Sequence, residues 1–393
     1  MLTKLFQRTT QSSSFIPEID GLRFFAIITV VIFHLNTAYS RQLGMDDYAM
    51  SMLGGSRDIT SSGWWIIRLD LGVKVFFAIS GMVLALPFLK AGLFAGKKIN
   101  LKDYFYRRLT RLEPPFIITL VCFYIVHILV MDKTASELWP HMMAGLLYMH
   151  TFIFAAPNPI NPVTWSLETE AQFYMIVPLL FFLLFRYPGK WYRILVIAGL
   201  FAFSLFFKHY TYYELVYFLQ YCIFAYFTNF ITGILFAWLF LTKNEFFRVK
   251  QVFWDFTGIA GILFIFIFYK PQADIINNIL FNTGIFLLML AAFKGTYFNR
   301  FFTLPFVYVV GGMCYTIYLL HYAFLQLLVK FTSSLQTGSG YLPDLFLQFI
   351  IALPAILLVS GIFFLLIEKP CMDKRWPARM MEQIKHYIKP VLK

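Results

Sequence analysis

Charge is what this sequence has least of. Only 13% of its 393 residues are Asp, Glu, Lys or Arg, against about a quarter in an ordinary soluble chain. Cysteine is also scarce. Cys122, Cys222, Cys314 and Cys371 fall within apolar stretches or at the side read below as cytoplasmic, so no structural disulfide is expected. No glycine-rich phosphate loop, internal repeat or low-complexity segment is present. No small-residue cleavage site follows the first apolar stretch, so that stretch reads as a retained helix and not a signal peptide. Against these absences stand 60% apolar or aromatic residues, 48 of them Phe, and a mean hydropathy of +0.69. A soluble core of this size cannot hide so many phenylalanines. The solvent is therefore a bilayer, and the fold class is an all-α polytopic membrane bundle whose crossings each take roughly 20 apolar residues.

Ten spans are expected, near 21–39, 71–89, 115–131, 170–185, 193–208, 217–241, 254–269, 276–293, 305–329 and 344–367. The run 142–156, closed off by Pro157, Pro159 and Pro162, is too short and broken to cross. Basic residues test the count, because Lys and Arg collect in cytoplasmic loops. With both termini inside, only Arg41, Arg57, Arg68, Lys133, Lys208, Lys270 and Lys330 of the 33 basic residues fall outside, with Arg23 and Lys74 inside spans. An eleventh span would scatter the later basic loops to the wrong side. The net charge of +13 is thus mainly a topology signal and gives no reason to expect a nucleic-acid partner. The domain reading is one transmembrane domain over 1–370, with 371–393 as a basic cytoplasmic tail and no soluble domain appended.

Ionisable groups inside spans are expensive, so each is a functional candidate. Arg23 and His34 are eleven residues apart. That separation turns a helix to within about 20° of three full turns and sets the two Cα atoms roughly 16 Å apart on one face. Arg23 lies toward the cytoplasm and His34 in the outer half, as if lining a cavity; the bland alternative is a snorkelling Arg23 and a packing His34. Ser80 and Gly81 are small enough for close helix contact. Arg107, Arg108 and Arg111 share a helical face at a membrane mouth. They could grip phosphate in bidentate fashion or serve as plain anchors. Glu170 stands near the outer boundary and His321 in the outer half of the ninth span, at a depth like that of His34. The spacing of these groups gives no metal site. His127, His141, His150, His209 and His386 read as structural or solvated. Trp64, Trp65, Trp139 and Trp165 lie near the outer face, where interfacial Trp is common.

Six motifs occur in order: Asp-Gly-Leu-Arg at 20–23 with His34; Phe-Phe-Ala-Ile-Ser-Gly at 76–81; Arg-Arg-x-x-Arg at 107–111; Trp-Ser-Leu-x-x-Glu-x-x-Phe-Tyr at 165–174; Tyr-x-x-Tyr-Leu-x-His at 315–321; and Glu-Lys-Pro at 368–370. Together they resemble the acyltransferase-3 family of bacterial membrane O-acyltransferases, from about residue 15 to 370. Cys314 stands where such proteins often carry Ser, and no extracytoplasmic hydrolase-like domain follows the tenth span. The membrane part would then complete the transfer itself or hand over to a separate partner. The resemblance implies that Arg23 and His34 form the catalytic signature. It also implies that Arg107, Arg108 and Arg111 engage the donor, acetyl-CoA, and that no cofactor is bound permanently.

The implied reaction moves an acyl group, acetyl for preference, from cytoplasmic acyl-CoA to a hydroxyl of a carbohydrate acceptor at the bacterial inner membrane. His34 would be the general base, with a covalent acyl-His route as the alternative. Arg23 would serve the donor phosphate or the oxyanion, and Glu170 would orient His34 or hold the acceptor. Asp20, Ser80, Trp165, Tyr315 and His321 would support the acceptor or the catalytic groups. The rival reading is a proton-coupled transporter or exporter, which would use intramembrane Arg, His and Glu equally well. It lacks the paired, broken short spans typical of repeat-built carriers.

Overall fold

The computed structural model describes residues 5–8, 15–45, 65–94, 96, 99–213, 217–270, 274–373 and 375–378. These residues are helical throughout their ordered elements, with no strand among them. The principal helices are α1 (Pro17–Gln42), α2 (Leu71–Leu93, entered through a 3₁₀ turn at Ile67–Asp70), α3 (Leu101–Val130), α4 (Ala135–Leu146), α5 (His150–Phe154), α6 (Trp165–Leu184), α7 (Lys190–Tyr213), α8 (Ile223–Thr242), α9 (Phe253–Phe268), α10 (Ile275–Lys294), α11 (Pro305–Gly312), α12 (Cys314–Thr332) and α13 (Tyr341–Phe363). Among the described residues nine helical segments are long and apolar enough to cross a bilayer. The tenth expected span is α9, which is apolar but only 16 residues long. This is a multi-pass membrane protein.

Two boundaries differ from the sequence reading. The span expected at 115–131 is the second half of α3, a 30-residue helix with Asn100 capping its first turn and Pro114 and Pro115 inside it. The arginine motif therefore rides on the same rod as the membrane segment. The span expected at 305–329 is broken at Met313, between α11 and α12. The segment 142–156 does not cross: it is divided between α4 and α5, with Tyr148 and Ala155 at positive φ where the chain turns.

α2 and α8 are the most deeply enclosed spans, whereas α3, α7 and α13 show most of their apolar surface outward, as a lipid-facing outer ring must. Reciprocal glycines set the central contact. A Cβ on Gly233 would stand 1.8 Å from the Ala78 carbonyl oxygen, and one on Gly81 would stand 2.1 Å from that of Phe230. Small residues let two backbones approach this closely where lipid gives no hydrophobic drive between helices. The same pairing brings Ser80, next to Gly81, to the inner wall of the bundle. Arg57, Trp64, His386 and most of the basic tail 371–393 lie outside the described residues. Of that tail, the Trp376 indole donates to the Thr110 carbonyl (2.8 Å) on α3.

Candidate active site

Two cavities lie side by side inside the bundle. One, of about 330 Å³, is lined by Arg8, Arg23, Ser80, Arg107, Arg108, Arg111, Glu170, Tyr174, Cys314 and Tyr315, among others. The other, of about 340 Å³, is lined by His34, Asp70, Lys74, Trp165, Lys208, Tyr226 and Tyr269, among others. Val73 and Tyr318 line both, so these two side chains stand between the two spaces.

The first cavity is a basin of guanidiniums. Arg107, Arg108 and Arg111 reach it because positions three and four apart on α3 share a face. Arg107 lies at the mouth, half exposed and 3.9 Å from Asp103. Arg108 packs over the Tyr104 ring at 3.6 Å and donates to the Tyr104 carbonyl. Arg111 stands 3.9 Å from Glu368. Glu368 is wholly buried, on a π-helical turn beyond α13, and its other oxygen accepts from the amide and hydroxyl of Thr316. The Nε groups of Arg108 and Arg111 are buried without a hydrogen-bond partner. A buried donor left unpaired is costly, so these two are suited to an incoming anion.

Deeper in, Arg23 donates to Asp20 at 2.6 Å, and the other Asp20 oxygen accepts from Arg8 at 2.8 Å. The pair thus anchors Arg23 on the cavity wall; it does not snorkel. Ser80 donates to Glu170 at 2.6 Å, so its role is polar and not only packing. Tyr315 donates to the Leu112 carbonyl, tying α12 to α3.

His34 lines the second cavity, and its Nδ1 is 2.9 Å from His321 Nε2. His321 is fully buried, and its Nδ1 faces the carbonyls of Tyr318 (2.8 Å) and Ile317 (3.2 Å). A carbonyl only accepts, so His321 carries its proton on Nδ1 and offers a lone pair at Nε2. His34 must then donate from Nδ1, which leaves its own Nε2 as a bare lone pair. The Tyr318 hydroxyl is held by the Val163 carbonyl and Ser166, each at 2.6 Å, which fixes the ring between the cavities.

Several placements correct the sequence reading. Glu170 lies in the arginine cavity and makes no contact with His34; the neighbour that orients His34 is His321. Helix α6 begins at Trp165 on the wall of the second cavity, and five residues at 1.5 Å each carry Glu170 about 7.5 Å inward. Trp165 does line the second cavity, but Trp65 packs on Phe266 and Trp139 on Tyr124. His141 and His150, which read in the sequence as separate structural or solvated residues, form a second close pair at 2.8 Å. Arg8 carries no local signal that would single it out. Tyr318 and Glu368 stand inside recognisable motifs, but those motifs alone give neither a role. The ring of Asp70, Lys74 and Tyr269 is also new, with Lys74 at 2.7 Å and the Tyr269 hydroxyl at 2.6 Å from one Asp70 oxygen. Only the four-residue spacing of Asp70 and Lys74 hints at it.

The chain is 26% identical over 96% of its length to O-acetyltransferase OatA of Staphylococcus aureus, strain NCTC 8325 / PS 47, and to the protein of the same name from strain COL. It is 25% identical over 79% of its length to SACOL0978, a provisionally named O-acetyltransferase of strain COL. The chain spans 61% of the length of the OatA relatives and 50% of SACOL0978. No solved structure matches. Residues 16–365 match the acyltransferase domain of the acyltransferase-3 family, and the chain belongs to that family.

Proposed function

We propose that this chain is an O-acetyltransferase of the bacterial inner membrane. It moves an acetyl group from cytoplasmic acetyl-CoA to a hydroxyl of a carbohydrate acceptor on the opposite side. The observation that carries the reading is the adjacency of the two cavities. An anion-seeking basin of arginines and a polar, aromatic chamber flank Tyr318, beside the His34–His321 pair. The excess of basic residues on the inner side of the expected topology supports a cytoplasmic side for both termini and the arginine mouth, where acyl-CoA is made.

In this reading the phosphates of the donor dock on Arg107, Arg108 and Arg111, using the free Nε donors of the latter two. The thioester end extends past Ser80 and Glu170 toward Tyr318. The acceptor hydroxyl, held in the second cavity, gives its proton to His34 Nε2 while its oxygen attacks the acyl carbon. The carbon–sulfur bond then breaks, and the thiol leaves with the proton that His34 returns. Arg23, fixed by Asp20, adds positive charge on the donor side. General-base help of this kind is worth about 10²–10⁴ in rate.

The test is transfer of labelled acetyl from acetyl-CoA in membranes containing the chain, wild type beside His34→Ala. Label entering a glycan or glycoside with the wild type alone supports the proposal. Equal labelling by both proteins removes His34 from the chemistry. Movement of an unmodified polar substrate without any labelling favours a transporter.

A further inference from the structure

The second cavity has a charge pattern that a neutral sugar does not explain. Its walls carry Lys74, Lys208 and Lys270 against a single carboxylate, Asp70. Asp70 already serves Lys74 at 2.7 Å and the Tyr269 hydroxyl at 2.6 Å through one oxygen. Lys270, at the exposed rim, has Asp274 within electrostatic range. Lys208 differs from both. It stands on the last turns of α7, and Asp70 acts on it only from longer range. Among the described residues its ammonium meets only the neutral side-chain oxygen of Asn278, at 3.0 Å, and the face of Tyr226 at 5.7 Å. An ammonium inside a spanning helix is expensive and is normally paired. A lysine left with an amide and a ring on the wall of a chamber has capacity for an anion that enters it.

We infer that the acceptor taken by this chamber is anionic: a glycan or glycoside whose carboxylate or phosphate seats on Lys208. The inference rests on the proposed role of the second cavity as the acceptor site. The other walls fit the same ligand. The second oxygen of Asp70 is buried without a partner and can accept from a sugar hydroxyl, since a carboxylate has lone pairs to spare. Trp165, itself packed edge-on to Tyr221 at 4.9 Å and tilted against Tyr226 at 5.4 Å, offers an aromatic wall to the sugar's C–H face. His34 lines the same space, so an anion held at Lys208 presents a ring hydroxyl to His34 without a direct contact between charge and imidazole. Lysine acts here as a point charge, which accepts a carboxylate or a phosphate alike.

The experiment measures binding of three glycosides to the purified full chain in nanodiscs: an alkyl glucoside, its glucuronide and its 6-phosphate. Wild type is compared with Lys208→Met and Lys208→Arg, and acetyl transfer to the same three compounds is followed in parallel. The expected result is at least tenfold tighter binding of one or both anionic glycosides over the glucoside. That preference should vanish in Lys208→Met, with the weak glucoside binding unchanged, and persist in Lys208→Arg. The arm that binds tightly tells carboxylate from phosphate. Equal binding of all three, or a loss in Lys208→Met that falls equally on the glucoside, overturns the inference. Anion-selective binding without any acetyl transfer would instead keep the inference and overturn the transferase reading. Transfer to the glucoside as efficient as to both anionic forms would do the reverse.

Discussion

The molecule contains two histidine pairs of nearly equal geometry and very different surroundings. His34 and His321 meet at 2.9 Å between α1 and α12, and His141 and His150 at 2.8 Å between α4 and α5. The first pair stands at the second cavity, with His321 anchored on backbone carbonyls and His34 on the cavity wall. The second lines neither cavity. Its rings pack on Phe154, with centroids 4.2 and 4.9 Å away, and it joins two short helices outside the spanning set. A close imidazole contact is therefore not itself a site. What separates the pairs is that His34 lines a cavity and has the arginine cavity beside it.

The largest effect that would break this comparison is on turnover. His34→Ala should lower acetyl transfer by about 10²–10⁴, with expression and melting temperature near wild type. His141→Ala should stay within twofold. Reversed ranking in a labelled acetyl-CoA assay would move the chemistry to the second pair. His321 is a positioning residue, since it acts on His34 and lines neither cavity. His321→Ala should lower kcat by roughly 10–100-fold, the range seen when a group that orients another is lost, while the KM for acetyl-CoA stays constant. A change in KM alone would mean that His321 supports the donor cavity instead.

The donor side sharpens the contrast from another direction. Arg111→Gln removes a charged donor whose Nε is unpaired in the free protein. The expected outcome is a rise of about tenfold in the KM for acetyl-CoA, equivalent to about 1.4 kcal/mol, with a smaller change in kcat. Unchanged donor affinity would leave the arginines as topology anchors. Arg107→Gln should do less, because Arg107 is half exposed at the mouth and solvent screens it.

Much of this architecture is legible in the amino-acid sequence. The bilayer, nine of the ten expected crossings and the shared face of Arg23 and His34 follow from apolar run lengths and the helical repeat, which act along the chain. What is not legible acts across it. The partner of His34 is 287 residues away, and nothing in local spacing selects His321 over Glu170. Arg8 joins Asp20 from a short stretch with no helical periodicity to place it. Lys208 looks like an ordinary boundary lysine, because only packing reveals that its neighbours are Asn278 and Tyr226. Apolar run length puts Glu170 at the outer boundary, a depth argument that is right in kind. It fails because α6 starts at Trp165, more than a turn ahead of the apolar run.

The smallest predicted effect separates the pairs by proton linkage. His150 is 1% exposed. Burial, with the neighbouring His141 adding to it, pushes the His150 imidazole down from its ordinary 6.5 to about 4. A histidine with a lowered folded pKa stays neutral in the native protein while the unfolded chain takes up a proton. Stability is therefore unaffected above about pH 7 and falls as the pH drops from 6.5 toward 4. His150→Phe keeps an apolar ring against Phe154 and removes the titration. The variant should lose less of its melting temperature than the wild type between pH 7 and pH 5, by roughly 1–2 °C in a protein of this size. Acetyl transfer at pH 7 should stay within twofold. Parallel melting curves would mean that the second pair shares a proton in the folded state. An accompanying loss of turnover would mean that the two pairs are coupled, and access to a cavity would then no longer be what distinguishes them.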